Sequence, residues 1–318
     1  HDRRRSGNFG IRRNHRPGVD SRSKALRRVQ QCRHLGEIQV WIGAHDRRQR
    51  GQVGNVSSND AAYHSQMDQV LAMSAALSDK QKVIAEYWAD GPRSETPPGH
   101  WNEIAHGVSY RDKHSIDDDV KMYFALDGAI LDSSIAAWEA KRYYQFVRPI
   151  SAIRHAYYNQ TINAWGGPNK GTRSMLGQAW MPYQSATFVT PPFPEYVSGH
   201  STFSASAAEV LTRFSGKSTY FDGNTVLTTD DDHDGQPDRM GEFRAQIESN
   251  AFEKTPSSLI VLRWNTFQDA ANEAGVSRLY GGIHFQDADL RAREMGKKIG
   301  SNAFSYASAL WSGSGTPK

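Results

Sequence analysis

The stretch EYVSGHSTFSASAAEVL, residues 195–211, joins a Ser-Gly-His element to a run of small side chains. Ser201 and Thr202 belong to the residue types that cap helix N-termini, so we expect a helix to begin there. The apolar residues that follow recur at the spacing of one helix face: Phe203, Ala207, Val210 and Leu211. The segment therefore predicts a packed helix with a polar N-terminus.

The residues at this N-terminus have the properties of an anion site. Ser198, Gly199 and His200 fall where the first backbone N–H groups have no intrahelical partner and the helix dipole is positive. Gly199 lets the backbone approach a ligand closely, and His200 can exchange protons near neutral pH. We therefore expect an oxyanion to bind at this helix end.

Helical patterns dominate the rest of the chain, and alternating valine and isoleucine runs are scarce. The predicted segments are a helix from the Ser78–Gln81 capping box to Asp90-Gly91-Pro92, a loop over 95–103, a helix over 117–147 broken near Gly128, an irregular stretch from 155 to 168, a helix start at Thr255-Pro256 and a final helix over 287–310. The fold class expected is all-α, a helical bundle with the oxyanion site in its core near helix termini.

Composition limits the class of protein. The chain has 318 residues, of which 38% are hydrophobic, and no apolar run approaches the roughly 18 to 20 residues of a membrane span. Cys32 is the sole cysteine, which excludes an internal disulfide. The sequence begins with His1 and contains no signal-peptide pattern. A globular, non-membrane enzyme is expected, of unknown oligomeric state.

The net charge of +4 is unevenly distributed. Residues 1–50 hold 13 Arg and 1 Lys against 4 acidic residues, so the remainder of the chain is mildly acidic. We predict that 1–55 is a separate basic segment, disordered or non-native, and that 56–318 is one helical domain with an insertion at 216–254. The basic segment lacks a recognisable nucleic-acid-binding motif, so nucleic-acid binding is not expected.

Two further motifs carry charged residues. In KRYYQFVRP, Lys141 and Arg148 lie seven residues apart, so on one helix they would share a face, with Pro149 ending that helix. In SRLYGGIHFQDAD, a break at Gly281-Gly282 would let Arg278 and His284 converge from a loop. Taken singly, the first motif also fits a solvated basic stripe, and the second fits a buried structural histidine.

Together, the three motifs favour an oxyanion site. They supply three cations, a hydroxyl with backbone donors, and two imidazoles, which suits a tetrahedral or trigonal-bipyramidal oxyanion. The residues concerned are Lys141, Arg148, Ser198, Gly199, His200, Arg278 and His284.

In this order the motifs resemble the type 2 phosphatidic acid phosphatase and vanadium-dependent haloperoxidase superfamily, with chloroperoxidase-like features, over residues 60–311. The matches are Lys-six-residues-Arg-Pro, Ser-Gly-His, and Ser-Arg-five-residues-His. Val197 stands where the family has proline. The acidic residue expected four positions after the histidine is absent, with Asp287 at three and Asp289 at five, so no carboxylate partner of the histidine is assigned.

The resemblance implies a role for each matching residue. His284 would be the axial ligand of vanadium in a haloperoxidase, or the phosphorylated nucleophile in a phosphatase, and His200 the acid–base partner opposite. The oxygens of vanadate or phosphate would be held by Lys141, Arg148, Ser198, Gly199 and Arg278.

Two neighbours favour the haloperoxidase. Trp138 and Phe193 stand where chloroperoxidase-like members have the aromatic pair of the halide pocket, although both residues also fit an ordinary core. The 76 residues between His200 and Ser277 are more than a compact phosphatase needs. The expected cofactor is vanadate. The expected reaction is oxidation of halide by hydrogen peroxide to hypohalous acid, which halogenates an organic acceptor.

Other functions stay open at this stage. A soluble acid phosphatase acting through a phosphohistidine is the alternative enzyme, and a non-catalytic binding protein is a third class. The resemblance also implies export to the periplasm or outside the cell.

The insertion contains TTDDDHDGQPD, residues 228–238. Its alternating carboxylates match the start of a calcium loop, although the closing glutamate is displaced. The possible calcium ligands are Asp230, Asp232, Asp234 and Asp238. An acidic solvated turn is the alternative interpretation.

Overall fold

Helices provide almost all of the regular structure. The computed structural model describes residues 61–92, 94–230 and 234–314, so the predictions for residues 1–55 and for Asp232 lie outside the described residues. The helices are α1 (Ala61–Ala75), α2 (Asp79–Tyr87), α3 (Thr96–Asp112), α4 (Ile116–Tyr144), α5 (Pro149–Ala156), α6 (Gly199–Ser215), α7 (Phe267–Tyr280) and α8 (Gln286–Trp311). The strands are β1 (Thr161–Trp165), β2 (Thr172–Leu176), β3 (Glu242–Ala245) and β4 (Ile260–Arg263). The predicted helical class is confirmed.

Helix α6 is central to the bundle and packs against α4, α7 and α8. It begins three residues earlier than predicted, because Ser198 rather than Ser201 is the N-cap: the Ser198 hydroxyl accepts from the Ser201 N–H at 3.3 Å. Ser201 lies in the first turn, where its hydroxyl is 2.7 Å from Asp289 of α8. The expected anion-binding residues therefore lie at the very start of the central helix.

Helices α6 and α8 touch through their backbones. A methyl group added at Gly296 would overlap the carbonyl oxygen of Thr202, and one at Gly300 would overlap that of Ser206. Side chains larger than hydrogen at these two positions would push the helices apart, so the glycines fix the distance between them. The largest buried side chains of the core around α6 are aromatic: Trp88, Trp101, Trp264 and Phe267.

Helix α4 corrects the interpretation of the KRYYQFVRP motif. It runs unbroken past Gly128 and ends at Tyr144, where Gln145 adopts a left-handed conformation with φ +50. Lys141 is therefore in the last turn of α4, whereas Arg148 is the N-cap of α5. Proline disfavours helical geometry in the residue before it and suits the first helical position, so Pro149 starts a helix rather than ending one.

Other boundaries also differ from the predictions. Segment 95–103 is not a loop, because its two prolines occupy the first turn of α3, where they are tolerated. The residues around His155 continue α5 as far as Ala156. Thr255-Pro256 does not start a helix, since the β-branched residues that follow form β4, and α7 begins behind the capping box of Thr266.

The short strands form two antiparallel pairs, β1 with β2 and β3 with β4. The register places Ile162 opposite Met175 in the first pair and Phe243 opposite Leu262 in the second. In the second pair, β3 belongs to the inserted segment 216–254 and β4 precedes α7. Among the described helices, none combines the length and apolar character required to cross a bilayer.

Candidate active site

Lys141 is buried at the end of α4 and is held by main-chain oxygens. Its Nζ donates to the carbonyls of Pro194 and Glu195, each at 3.0 Å, and to that of Val197. Three acceptors match the three hydrogens of an ammonium group. Burial and the charge of Arg148 lower the pKa of Lys141 to about 7. An anion placed beside it would favour the charged form.

Arg148 joins the 193–197 segment to the loop that carries His284. Its Nε donates to the Phe193 carbonyl at 3.0 Å, and its Nη1 lies 2.8 Å from the Ile283 carbonyl and 3.0 Å from His284 Nε2. Burial lowers the pKa of Arg148 to about 10, so it stays charged at neutral pH.

Arg278 is the third buried cation, with 1% of its surface exposed. Its Nη2 donates to the Ala85 carbonyl at 3.0 Å, at the end of α2, and its Nε lies 2.9 Å from the Ser277 hydroxyl. Burial lowers its pKa to about 10, with Asp90 opposing the shift. The three cations come from α4, α5 and α7, and the bundle brings them to the N-terminus of α6.

The predicted break at Gly281-Gly282 is confirmed. Helix α7 ends at Tyr280, and Gly282 has φ +67, a conformation that L side chains rarely adopt. The chain turns there, so His284 lies in the loop before α8 and faces Arg148.

The hydrogen bonds of His284 define its tautomer. A guanidinium can only donate, so His284 Nε2 accepts from Arg148 and the ring proton must be on Nδ1. Nδ1 donates to Glu195 at 2.7 Å, and the same carboxylate oxygen accepts the Phe285 N–H at 3.0 Å. Burial and the neighbouring cations, Arg148 first, lower the pKa of His284 well below its ordinary value. The ring is therefore neutral and directs a lone pair towards the cations.

Glu195 was not predicted from the sequence. A carboxylate partner was expected after His284, but Asp289 instead contacts Ser201 and Arg293, and Asp287 is half-buried. Glu195 has 2% of its surface exposed, and burial raises its pKa to about 7. A lone acidic residue inside the proline-rich and aromatic PPFPEY stretch was the available signal.

His200 is the second residue of α6 and keeps 19% of its side chain exposed. Burial, and then the charge of Arg278, lower its pKa to about 3, and a backbone hydrogen bond to Ala89 favours the charged form. Its buried Nε2 has no hydrogen-bond partner among the described residues; the nearest charged oxygen, of Asp90, is 3.9 Å away. Such an unpaired nitrogen, at a helix N-terminus and close enough to Arg278 to feel its charge, suits an oxygen atom of a bound oxyanion.

Ser198 and Gly199 complete the cluster. The Ser198 hydroxyl accepts from the Ser201 hydroxyl at 2.8 Å, and the backbone N–H of Ser198 donates to the Ala288 carbonyl at 3.1 Å. A Cβ added at Gly199 would lie 3.5 Å from the ring of Trp138. The N–H groups of Gly199 and His200 belong to the first helical turn, which has no intrahelical acceptors.

The aromatic pair lies beside the cations. The rings of Trp138 and Phe193 are 5.2 Å apart, and Lys141 Nζ is 5.3 Å from the centre of the Phe193 ring. Arg148 lies 5.1 Å from that same centre. Trp138 is 42% exposed and Phe193 is half-buried, so neither is an ordinary core residue. Together the rings form an apolar wall next to a cationic pocket.

The acidic loop of the insertion is separate from this cluster. Asp234 forms an ion pair with Arg244 at 3.2 Å, and Asp230 accepts the Gly235 N–H at 3.2 Å. An arginine therefore already neutralises part of the loop. Calcium binding through Asp230, Asp232, Asp234 and Asp238 remains a prediction.

The helical bundle and its site define the class: this is a vanadium haloperoxidase-like protein. The chain belongs to the family described as the VCPO second helical-bundle domain, whose model matches residues 121–313.

Named relatives agree with this family. Over 249 residues the chain is 25% identical to the vanadium chloroperoxidase of Curvularia inaequalis. This alignment covers 70% of this chain and 38% of that protein. A holo bacterial vanadium-dependent chloroperoxidase is 25% identical with a TM-score of 0.62, covering 78% of this chain and 48% of that one. A bacterial vanadium-dependent iodoperoxidase is 24% identical with a TM-score of 0.54, covering 78% of this chain and 50% of that one. At this identity the similarity supports the fold alone. The chain thus spans at most about half the length of these relatives.

Proposed function

We propose that this protein is a vanadate-dependent haloperoxidase that oxidises halide with hydrogen peroxide to hypohalous acid. The observation that carries the proposal is the neutral ring of His284: its Nδ1 is bonded to Glu195, and its Nε2 presents a lone pair that accepts a hydrogen bond from Arg148. A neutral imidazole with its second nitrogen bonded to a carboxylate is the usual form of a metal-binding histidine. Because the named relatives are haloperoxidases, the acid phosphatase alternative is not favoured.

The residues fit vanadate on chemical grounds. His284 Nε2 would bind the metal, and the unpaired Nε2 of His200 would face it from the start of α6. The oxygens would be held by Lys141, Arg148, Ser198, Gly199 and Arg278. When bound, vanadate supplies Lewis-acid activation of hydrogen peroxide without changing its own oxidation state.

The protein's own groups act through charge, proton transfer and exclusion of water. The three cations stabilise negative charge that develops on oxygen, and they are already in place before reaction. His200, neutral at physiological pH, could accept a proton at its unpaired Nε2 from hydrogen peroxide and later donate that proton to an oxygen in the site. Lys141, held by three main-chain carbonyls, provides a fixed positive charge next to the Phe193 ring. The aromatic wall of Trp138 and Phe193 offers an apolar surface for a weakly hydrated halide.

A bromination assay tests the proposal. Metal-stripped protein is given hydrogen peroxide, bromide and an organic acceptor, before and after addition of orthovanadate. Activity that requires both vanadate and bromide, and that is lost in His284→Ala, is expected. Folded protein that gives no bromination but hydrolyses a phosphomonoester would refute the proposal in favour of the phosphatase. Absence of both activities, with no binding of vanadate or phosphate, would leave a non-catalytic binding protein.

A further inference from the structure

A second group of titratable side chains lies beside His200, at the end of α2, in the loop that follows it and in α3. Asp90 Oδ1 is 3.0 Å from His100 Nδ1, and His100 Nε2 is 3.2 Å from the Tyr87 hydroxyl. The other carboxylate oxygen of Asp90 is 3.9 Å from His200 Nε2. Asp90 therefore stands between two histidines, and the proposed function assigns a role to only one of them.

His100 and Asp90 form a charged pair. Burial opposes charge on both groups, but their hydrogen bond and mutual attraction outweigh it, so the pKa of His100 is raised and that of Asp90 is lowered. Glu95 and Glu103 also face His100 and favour its charged form. His200 faces Arg278 of α7 as well as Asp90, and lies close enough to interact with His100 and His284. The positive charge of His100 thus offsets the carboxylate that lies nearest to His200.

The surrounding residues prevent the His100 ring from turning. The Trp88 ring stacks on it at 4.6 Å and 18°, while Tyr87 binds its outer nitrogen. Asp90 has φ +42, a region that non-glycine residues rarely occupy. The backbone conformation of Asp90 is an unfavourable one, so the hydrogen bond to the fixed His100 ring is what holds the Asp90 carboxylate in place.

A cavity of about 630 Å³ reaches His100 from outside. Its walls include Tyr87, His100 and His106, whereas Asp90 and His200 are not among its lining residues. His100 therefore separates this cavity from the acid–base side of the oxyanion site.

We propose that His100 is a positioning residue for His200: from the cavity side it holds the Asp90 carboxylate against His200 and offsets its charge. The inference rests on the proposed function only in that His200 is the proton-exchanging group of the site. Replacement of His100 by a neutral hydrogen-bond donor leaves the negative charge of Asp90 uncompensated, so His200 becomes a stronger base.

Sulfate binding as a function of pH tests the proposal without vanadate, peroxide or halide. Sulfate keeps its charge between about pH 4 and about pH 8, so the pH dependence of its affinity reports protein groups. A bound anion raises the pKa of His200, whereas Lys141 and Glu195 titrate near pH 7 in the same site, so the contribution of His200 is the part of the pH dependence that His200→Gln removes. Calorimetry of the wild type should show affinity rising as pH falls. In His100→Gln the midpoint of the His200 contribution should move up by at least about 0.5 pH unit, roughly a threefold gain in proton affinity. His106→Gln, a change on the same helix and the same cavity wall, should leave the midpoint unchanged.

A double-mutant cycle separates positioning from simple structural support. If His100 acts through Asp90, His100→Gln should have no further effect on the midpoint in an Asp90→Asn background. A midpoint of folded His100→Gln within about 0.2 unit of the wild type would overturn the proposal. So would a wild-type midpoint that moves on addition of Zn²⁺ and returns with a chelator, because Asp90, Glu95 and His100 would then be holding a cation. Loss of bromination with an intact sulfate shift would refute the proposed function and support this inference.

Discussion

Replacement of Glu195 by glutamine isolates the charge behind His284 from the shape of the site. The glutamine oxygen can still accept from His284 Nδ1 and from the Phe285 N–H, so the tautomer persists. What is lost is the carboxylate that makes Nε2 a strong donor to a metal. Because the change is nearly isosteric, the positions of Lys141 and Arg148 should be retained.

Two effects of opposite sign determine the magnitude. Loss of the carboxylate should weaken binding through His284 Nε2 by about 10- to 100-fold, or about 1.4 to 2.7 kcal/mol. Removal of a negative charge also strengthens attraction for any anion. The separation between the Glu195 oxygen and the anion comprises the 2.7 Å hydrogen bond to Nδ1, the width of the imidazole ring and the bond from Nε2 to the anion. The sum is roughly 7 Å, which at an effective dielectric of about 20 corresponds to about 2.4 kcal/mol per unit charge. The second effect acts on vanadate and sulfate alike, but the first acts only on the anion bonded to nitrogen.

The quantity to measure is therefore the ratio of vanadate to sulfate affinity. We expect Glu195→Gln to lower this ratio at least tenfold in calorimetry or equilibrium dialysis at about pH 8.5, above the raised pKa of about 7 for Glu195. Asp287→Asn is the matched control, because its carboxylate lies near the expected family position and contacts neither nitrogen of His284. A ratio within about threefold of the wild type in Glu195→Gln would refute the role of the carboxylate.

Three further predictions concern stability and the role proposed for Trp138. Gly296→Ala should destabilise the fold by about 1 to 3 kcal/mol, because the methyl group overlaps the carbonyl of Thr202, and it should weaken vanadate binding as the start of α6 moves. Gly128→Ala in α4, which meets nothing within 4 Å, should instead stabilise by about 0.5 to 1 kcal/mol in urea unfolding, and equal effects of the two changes would contradict the packing argument. Lys141 is less protonated in the folded than in the unfolded state between its folded pKa of about 7 and the ordinary 10.5, so the free energy of unfolding should rise with pH in this window by up to about 1.4 kcal/mol per unit. Lys141→Met should remove that contribution, which unfolding at about pH 7 and about pH 9 would measure, and an unchanged slope would count against a depressed pKa. Trp138→Ala should raise the KM for bromide about tenfold while vanadate affinity stays within about threefold, whereas a selective loss of vanadate affinity would assign the ring to the oxyanion site.

The local chemistry of the site could be predicted because it is local in sequence. The glycine at the start of α6 and the turn at Gly281-Gly282 are set by neighbouring residues, and each motif carries its cation or imidazole within a few positions. The sequence predicts the cap of α6 at Ser201, one turn too late, because several adjacent residues there are of capping type. The order of these motifs was enough to place the chain in a superfamily. The helical class followed from periodicity over many residues.

The remainder depends on contacts between distant segments. Glu195 reaches His284 across 89 positions, and Asp90 lies beside His200 across 110, so no spacing rule links them. Helix α4 ends at Gln145, which adopts a left-handed conformation although it is not glycine, so residue type alone does not predict this helix end. Strand β4 (Ile260–Arg263) forms by pairing with β3, which lies in the acidic insertion and has no strand pattern of its own in the sequence.

Main chain and side chains in the 193–197 segment perform different tasks. Lys141 and Arg148 bind carbonyl oxygens there, which every amino acid possesses, so the positions of both cations are largely independent of which side chains the segment carries. The side chains of Phe193 and Glu195 are therefore not needed to position the cations. Phe193 forms part of the apolar wall, and Glu195 sets the basicity of His284. On the proposed function, substitutions in this segment would change halide preference or vanadate affinity while the positions of the two cations stay the same.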